Sequence, residues 1–144
     1  MQLPNSTQTI MDGLITEGLK DPLLAKEGVR YDKDKSRMDL IPPEWDLALS
    51  EVLSAGAKKY ADHNWALGMK WSRILGSLRR HITAFLCGEI YDPETGCHHM
   101  AHVAWNALAL MSYQLRKTGT DDLHYSGRTY KEVQEGVRLP NASS

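Results

Sequence analysis

Residues 74–116 hold two apolar helical segments with many titratable side chains around their junction, and this stretch constrains the fold most strongly. In the first segment, which ends near Leu86, apolar side chains recur at helical spacing and predict one buried stripe. The second segment starts after Gly96, ends near Arg116 and is apolar over most of its surface. A helix this apolar belongs in the centre of a bundle, so its polar side chains should face an interior site rather than water.

The second segment carries three polar side chains on one face. His99, His102 and Asn106 follow one another at intervals of three and four residues, which is about one helical turn each. The titratable side chains close to them in sequence are His81, His98, Glu89, Asp92 and Glu94. The histidines could simply cap the helix or hydrogen-bond inside the core. The number of titratable groups in this short stretch favours a functional cluster.

Glu89 is placed where a carboxylate needs a partner. It lies seven residues after Ile82, at the end of the first apolar stripe and nearly on the same side of the helix. Removing an unpaired carboxylate from water in such a position costs on the order of several kcal/mol. We therefore predict that Glu89 contacts a cation or a hydrogen-bond donor, which Arg80, His81 or a metal ion could supply.

Basic and aromatic side chains upstream suggest contacts to a nucleotide. Lys35 and Arg37 lie in a segment of alternating charges, which is either a solvated loop or a binding site for an anion such as a triphosphate. Lys59 borders the buried stripe of a helix predicted from Pro43 to about residue 60. The following Asn64 and Trp65 could read and stack on a base, or they could fix a loop onto the bundle.

The composition narrows the class of protein. A chain of 144 residues suits one domain, and no strand pattern competes with the helices, so we predict an all-α helical bundle. A net charge of -1 and a pI near 6.6 argue against nucleic acid or an anionic membrane as a partner. Two cysteines do not make a disulfide framework, and there is no long apolar run or signal peptide. We predict a soluble, cytoplasmic protein.

Changes in composition predict three segments. Residues 1–28 carry weak helical signals and would form an arm or a short packing helix. Residues 29–117 contain the predicted helical core with all of the candidate site residues. Residues 118–144 are polar after a Thr-Gly-Thr sequence, which predicts a mostly irregular tail.

A series of short motifs in the core carries a family resemblance. The motifs are Lys35-Ser36-Arg37-Met38-Asp39-Leu40-Ile41-Pro42, Gly56-Ala57-Lys58-Lys59-Tyr60, Asn64-Trp65, Arg80-His81, Gly88-Glu89, Asp92-Pro93-Glu94-Thr95-Gly96 and His99-Met100-Ala101-His102. In this order and spacing they resemble the phage-borne dATP/dGTP diphosphohydrolase family, over about residues 30–113. That family is similar to the MazG-like all-α nucleoside triphosphate pyrophosphohydrolases, and its dGTP-cleaving members are called MazZ.

The resemblance implies a reaction, a cofactor and an assembly. A purine deoxynucleoside triphosphate, with dGTP favoured and dATP possible, would be cut between the α and β phosphorus atoms into the monophosphate and pyrophosphate. The cofactor would be Mg²⁺ or Mn²⁺. The protein would be a homo-oligomer, dimer or tetramer, with sites completed between subunits, in the cytoplasm of the host if a phage encodes it.

The chemistry and position of individual residues suggest roles for them in such a reaction. The metal ligands would be Glu89, Asp92 and Glu94, because hard divalent ions prefer carboxylate oxygens. The phosphate contacts would be Lys35, Arg37, Lys59 and Arg80. The further substrate contacts would be Tyr60, Asn64, Trp65 and Asn106. Glu89 and Asp92, with His81, His99 and His102, would form the catalytic group.

One departure from the MazG-like pattern affects the metal ligands. MazG-like enzymes use an ExxE helix followed by an ExxD helix, and the core helices of this chain contain no such pair. Glu89 and Asp92 have the second spacing at a helix end, while His99 and His102 stand where the ExxD of the third helix is expected. The metals could bind at the 89–94 turn with help from histidines, or the histidines could do acid-base work near neutral pH. We favour the first arrangement.

Two other functions fit the same residues. One is a metal-dependent phosphohydrolase that releases triphosphate and nucleoside, because clustered histidines and acids also suit that reaction. The other is a non-enzymatic helical assembly protein of a phage, in which the polar face is a buried hydrogen-bond network that fixes subunit register. The identity of the products separates the first from the proposed reaction. The second predicts no effect of metal or nucleotide.

Overall fold

The computed structural model describes residues 27–138 and divides the chain into a unit that ends at Leu40 and a unit that begins at Ile41. In the first unit, every described residue is exposed, and the described backbone forms one short 3-10 turn, Met38–Leu40. Most of the predicted arm, residues 1–28, lies outside the described residues. The last residues of the predicted tail, 139–144, do so as well.

Four α-helices make up most of the described part of the second unit, and the predicted all-α fold is confirmed. They are α1 (Pro43–Lys59), α2 (Trp71–Leu86), α3 (His99–Arg116) and α4 (Tyr130–Val137). Between residues 27 and 138, extended backbone pairs at two isolated bridges, Lys70 with Thr120 and Tyr91 with His98. No helix in this range is long and apolar enough to cross a membrane.

The local sequence explains where α1 and α3 begin. Pro43 takes the first position of α1, where its fixed φ suits the helix and its missing N–H is not needed. Glu44 and Asp46 lie in the first turn, near the positive end of the helix dipole. The side chain of His98 caps α3 by accepting a hydrogen bond of 3.0 Å from the backbone amide of Met100.

The third helix is the centre of this unit, as its apolar sequence predicts. It packs along α2 and, over a smaller surface, against α1. Val52 of α1, Cys97 and Ala101 form a buried apolar cluster. The partly buried side chains that pack against this cluster are Ala48, Ala55 and Trp105. The small side chains at these positions let α1 approach the beginning of α3 closely.

Tyr113 fixes the other end of α3. Its side chain is completely buried, and its hydroxyl donates a hydrogen bond of 2.6 Å to the backbone carbonyl of Trp65. Burial also raises the pKa of this phenol, so the hydroxyl keeps its proton as a donor. The loop between α1 and α2 is therefore attached to the last turns of α3.

Replacing Tyr113 with phenylalanine should lower the free energy of unfolding by about 1 kcal/mol, because the Trp65 carbonyl loses one of its two donors in a partly buried place and keeps only the amide of Gly68. Urea denaturation followed by circular dichroism measures the change. Tyr125→Phe is the control, since the Tyr125 hydroxyl binds Asp121 at an exposed position. Its loss should stay below about 0.5 kcal/mol. Equal losses in the two variants would contradict the anchoring role of Tyr113.

Two backbone segments pair where α2 begins, residues 69–71 and the residues around Thr120, and we call this contact the backbone crossing. The amide of Trp71 donates to the carbonyl of Thr120 at 3.0 Å, and the amide of Thr120 donates to the carbonyl of Met69 at 3.2 Å. Asp122 then accepts hydrogen bonds from both the amide and the hydroxyl of Ser72, at 2.9 and 2.7 Å. The first residues after α3 are thus held against the start of α2.

The prediction of a mostly irregular tail is wrong for residues 130–137, which form α4. Thr129 and Glu132 make a reciprocal capping box, in which each side chain binds the backbone amide of the other residue. This pair satisfies two amides that a helix end otherwise leaves unpaired. The capping spacing, rather than apolar periodicity, is the signal that a polar segment of this kind forms a helix.

Candidate active site

The candidate site lies between α2, α3 and the loop that joins them. Helix α2 contributes His81, helix α3 contributes His99 and His102, and the loop contributes Glu89 and Asp92. We call these five residues the histidine-carboxylate cluster. Hydrogen bonds across the loop hold it in shape, because the amides of Asp92 and His99 donate to the carbonyls of Cys97 and Ile90 at 2.8 and 2.9 Å.

Glu89, His99 and His81 form a chain of short contacts. Oε1 of Glu89 lies 2.7 Å from Nε2 of His99, and Nδ1 of His99 lies 2.8 Å from Nδ1 of His81. When His99 carries its ring proton on Nε2 and donates it in a hydrogen bond to Glu89, its Nδ1 accepts a hydrogen bond from the Nδ1–H group of His81. Glu89 thus has a hydrogen-bond donor beside it, as predicted, but the donor is His99 and not Arg80 or His81.

A second chain joins His102 to Asp92 through Thr95. The Thr95 hydroxyl donates to Oδ2 of Asp92 at 2.7 Å and lies 2.8 Å from Nε2 of His102. The Thr95 amide donates to the same carboxylate oxygen at 3.1 Å, and the rings of His81 and His102 stack at 4.3 Å. Thr95 is not among the site residues predicted from the sequence. Its signal is the position three residues after an aspartate in a turn, where that carboxylate commonly accepts from the backbone.

Burial and charge set the protonation of the cluster. Burial lowers the pKa of His81, and the neighbouring His102 lowers it further. Burial likewise lowers the pKa of His102, against the opposing effect of Asp92. Burial alone would raise the pKa of Asp92, but the hydrogen bonds that the hydroxyl and the amide of Thr95 donate to this carboxylate keep the pKa below its usual value. His81 and His102 are therefore neutral at neutral pH, and Asp92 is ionised.

This donor set is suited to a divalent metal ion. One ligand atom each from His81, Asp92 and His99 can be chosen so that all three lie within 4.8 Å of one another. Neutral imidazole and ionised carboxylate are the forms that bind metals. Glu89 is outside this group of three and contacts His99 instead.

Glu94 and Lys59 form an ion pair at the surface, and Lys59 also lies 5.5 Å from the centre of the Tyr60 ring. All three side chains are exposed. The structure thus places Glu94 with a predicted phosphate contact rather than in the group of possible metal ligands. Because Glu94 follows Asp92 closely in the loop, this ion pair lies beside the histidine-carboxylate cluster.

Trp65 and Asn64 lie far from the cluster within one chain. Both belong to a 3-10 turn, Asn64–Leu67, and the Trp65 ring packs between Tyr113 and the guanidinium of Arg116. Tyr113 follows His102, the cluster residue nearest to it along α3, by eleven positions, which corresponds to about 16 Å along a helix. The structure therefore shows Trp65 fixing its loop to the bundle, and a base contact stays a prediction.

The remaining predicted contacts have different surroundings. Arg80 is exposed on α2, whereas Asn106 is 1% exposed and donates to the carbonyl of His102 at 2.8 Å. Asn106 thus braces α3 beneath the cluster. In the first unit, Arg37 is held by Asp39 through two hydrogen bonds of 2.7 and 2.6 Å, and Lys35 is exposed. Their roles in substrate binding stay predictions.

The fold and the site together define a class: an all-α protein with a partly buried histidine-carboxylate centre suited to a divalent metal. Comparison with known sequences identifies the family. The chain belongs to the family described as dATP/dGTP diphosphohydrolase, N-terminal, whose sequence model matches residues 25–123. This match confirms the family resemblance of the short motifs.

One relative shows how the chain compares with a longer protein. It is 32% identical over 116 residues to a protein of Salmonella phage PMBT28 named dATP/dGTP diphosphohydrolase. The match covers 81% of this chain but 38% of the relative, so the chain spans well under half the length of that protein. No solved structure matches the chain.

Proposed function

We propose that this chain hydrolyses a purine deoxynucleoside triphosphate, with dGTP favoured and dATP possible, to the monophosphate and pyrophosphate. The observation that carries this proposal is the histidine-carboxylate cluster inside a sequence of the dATP/dGTP diphosphohydrolase family. The name of the phage relative supports the same substrates. We further propose that the reaction needs a divalent ion, Mg²⁺ or Mn²⁺, at the cluster.

The residues of the chain suggest how the reaction proceeds. Glu89 is half-exposed, and one of its oxygens is engaged by His99, so the other can accept a proton from the attacking water. The water oxygen forms a bond to the α phosphorus, the bond from this phosphorus to the bridging oxygen breaks, and pyrophosphate leaves with the electron pair. A divalent ion held at the cluster would neutralise phosphate charge and lower the pKa of the attacking water.

Exposed basic side chains beside the cluster would hold the polyphosphate. Lys59 is paired with Glu94 in the free protein, and a triphosphate could replace this carboxylate as its partner. Arg80 lies next to His81 on α2 and offers a planar fork to phosphate oxygens. These contacts would orient the α phosphorus toward the water near Glu89.

A product assay tests the proposed reaction. The purified protein is incubated with each deoxynucleoside and ribonucleoside triphosphate, with Mg²⁺, Mn²⁺ or a chelator, and the products are separated by anion exchange. We expect dGTP or dATP to give the monophosphate and pyrophosphate, and we expect the chelator to abolish this reaction. Nucleoside and triphosphate would favour the alternative phosphohydrolase. No turnover under any condition would favour the assembly protein.

Replacing Lys59 with alanine should raise the Michaelis constant for the nucleotide severalfold and change kcat little, because the lysine would bind phosphate equally in the ground and transition states. Steady-state kinetics under the best metal condition measures both constants. Lys58→Ala is the matched control, since Lys58 is also exposed in the last turn of α1. An unchanged Michaelis constant in Lys59→Ala would contradict the proposed phosphate contact, and the ion pair with Glu94 would then be the one interaction that the described residues show between Lys59 and the site region.

We also propose that the protein is a homo-oligomer and that the outer face of α3 forms the contact between copies. Apolar side chains line this face at helical spacing and are exposed; they are Met100, Ala104, Ala107, Leu108, Met111 and Leu115. Soluble proteins rarely leave such a continuous apolar stripe uncovered. The small alanines in the middle let a second helix approach closely, and the same face on a second copy is self-complementary.

Met111→Glu should convert the oligomer to monomers, because it places a charge in the middle of the proposed contact. Size-exclusion chromatography with light scattering measures the mass. Val137→Glu is the control, since Val137 is an exposed apolar residue of α4, away from the stripe. A monomeric wild-type protein, or an oligomer that survives Met111→Glu, would rule out this contact.

A further inference from the structure

The possible metal ligands His81, Asp92 and His99 come from three consecutive parts of the chain. His81 is on α2, Asp92 is in the loop and His99 is in the first turn of α3. The two imidazole nitrogens that face each other are 2.8 Å apart. Two nitrogens that bind one ion at about 2.1 Å lie roughly 3 Å apart, so only a small movement is needed to accommodate an ion.

The chemistry of these donors discriminates between metals. Mg²⁺ is a hard ion that prefers oxygen ligands in a regular octahedron and usually keeps several waters. Imidazole nitrogen binds first-row transition-metal ions, Mn²⁺ the most weakly of them, better than it binds Mg²⁺, and two histidines with one carboxylate leave positions open for water and substrate. We propose that His81, His99 and Asp92 bind a first-row transition-metal ion such as Mn²⁺ and discriminate against Mg²⁺. This inference deepens the proposed function by choosing between its two candidate ions.

Two neighbouring residues hold the ligands in position. Glu89 accepts from Nε2 of His99, which directs the lone pair on Nδ1 of that ring toward His81. Thr95 donates two hydrogen bonds to one oxygen of Asp92, which orients this carboxylate. When an ion binds, His81 can move its ring proton from Nδ1 to Nε2 and remain neutral. Carboxylates behind histidine ligands are common in metal sites and make the histidine a stronger ligand.

Metal binding without nucleotide tests the inference. Chelator-treated protein is titrated with Mn²⁺, and free Mn²⁺ is followed by its electron paramagnetic resonance signal; Mg²⁺ is then added as competitor. We expect one Mn²⁺ per chain and Mg²⁺ binding weaker by about 100-fold or more. Pulsed measurements on the bound ion should show coupling to imidazole nitrogen. Displacement by equimolar Mg²⁺, or an absence of nitrogen coupling, would overturn the inference.

Variants assign the ligands. His81→Gln and His99→Gln should each weaken Mn²⁺ binding by about 100-fold, while Glu89→Gln should weaken it by about 10-fold and keep the nitrogen coupling. His124→Gln is the control, because His124 is exposed and distant in sequence from the cluster. Wild-type affinity in both cluster histidine variants would overturn the inference. The titration contains no nucleotide, so Mn²⁺ binding without hydrolysis would instead count against the proposed function alone.

Discussion

Asp92→Asn is expected to lower kcat/KM for dGTP by about 100-fold or more while the protein stays folded. The ionised carboxylate is the only negatively charged member of the group that could bind a metal within residues 27–138, and an amide is a much weaker ligand. An asparagine oxygen can still accept the hydrogen bonds that Thr95 donates to this position. The loop should therefore keep its shape, and the loss should appear in turnover.

Kinetics and thermal unfolding of the same preparations measure these two effects. Asp46→Asn is the matched control, since Asp46 is an exposed aspartate in the first turn of α1, outside the cluster. Its kcat/KM should equal that of the wild type. Wild-type turnover in Asp92→Asn would remove this residue from the site. A large loss of stability in that variant would assign Asp92 a structural role instead.

Gly119→Ala should lower the free energy of unfolding by about 3 kcal/mol or more. Gly119 has a φ of 76°, which side chains rarely adopt, and a Cβ at this position would lie 2.3 Å from the carbonyl oxygen of Met69. That oxygen belongs to the backbone crossing at the start of α2 and accepts a hydrogen bond from Thr120. The clash must therefore separate two hydrogen-bonded backbone segments, in addition to the cost of the left-handed conformation.

Gly127→Ala separates these two costs. Gly127 has a φ of 68°, but a Cβ there would meet no atom within 4 Å, so only the conformational cost of about 1 kcal/mol remains. Urea denaturation of the two variants beside the wild type gives both values. If the two losses are equal, the close approach of Gly119 to Met69 does not contribute to stability.

Much of the fold could be predicted because it depends on local patterns. The periodic apolar residues of α1, α2 and α3 identify these helices, and Gly88 and Pro93 mark the loop between the last two. The interior position of His99, His102 and Asn106 follows from their spacing on an apolar helix. Helix α4 could not be predicted in this way, because a capping box and not an apolar face defines it.

Partners in the candidate site were harder to predict because they depend on contacts between distant residues. The position of Glu89 after the apolar stripe suggests His81 as one possible partner, but it does not show that His99 lies between them. The ion pair between Lys59 and Glu94 joins α1 to the loop between α2 and α3. Nothing in the sequence of either segment indicates this pairing. The sequence around Trp65 fits packing and base stacking equally well. The contacts of its ring with Tyr113 and Arg116 are what indicate a packing role.

All five members of the histidine-carboxylate cluster lie within residues 81–102, on a single helix-loop-helix hairpin. Closing a loop this short costs little chain entropy, and contacts close in sequence form early in folding. The site can therefore assemble before α1 and the later backbone crossing are in place.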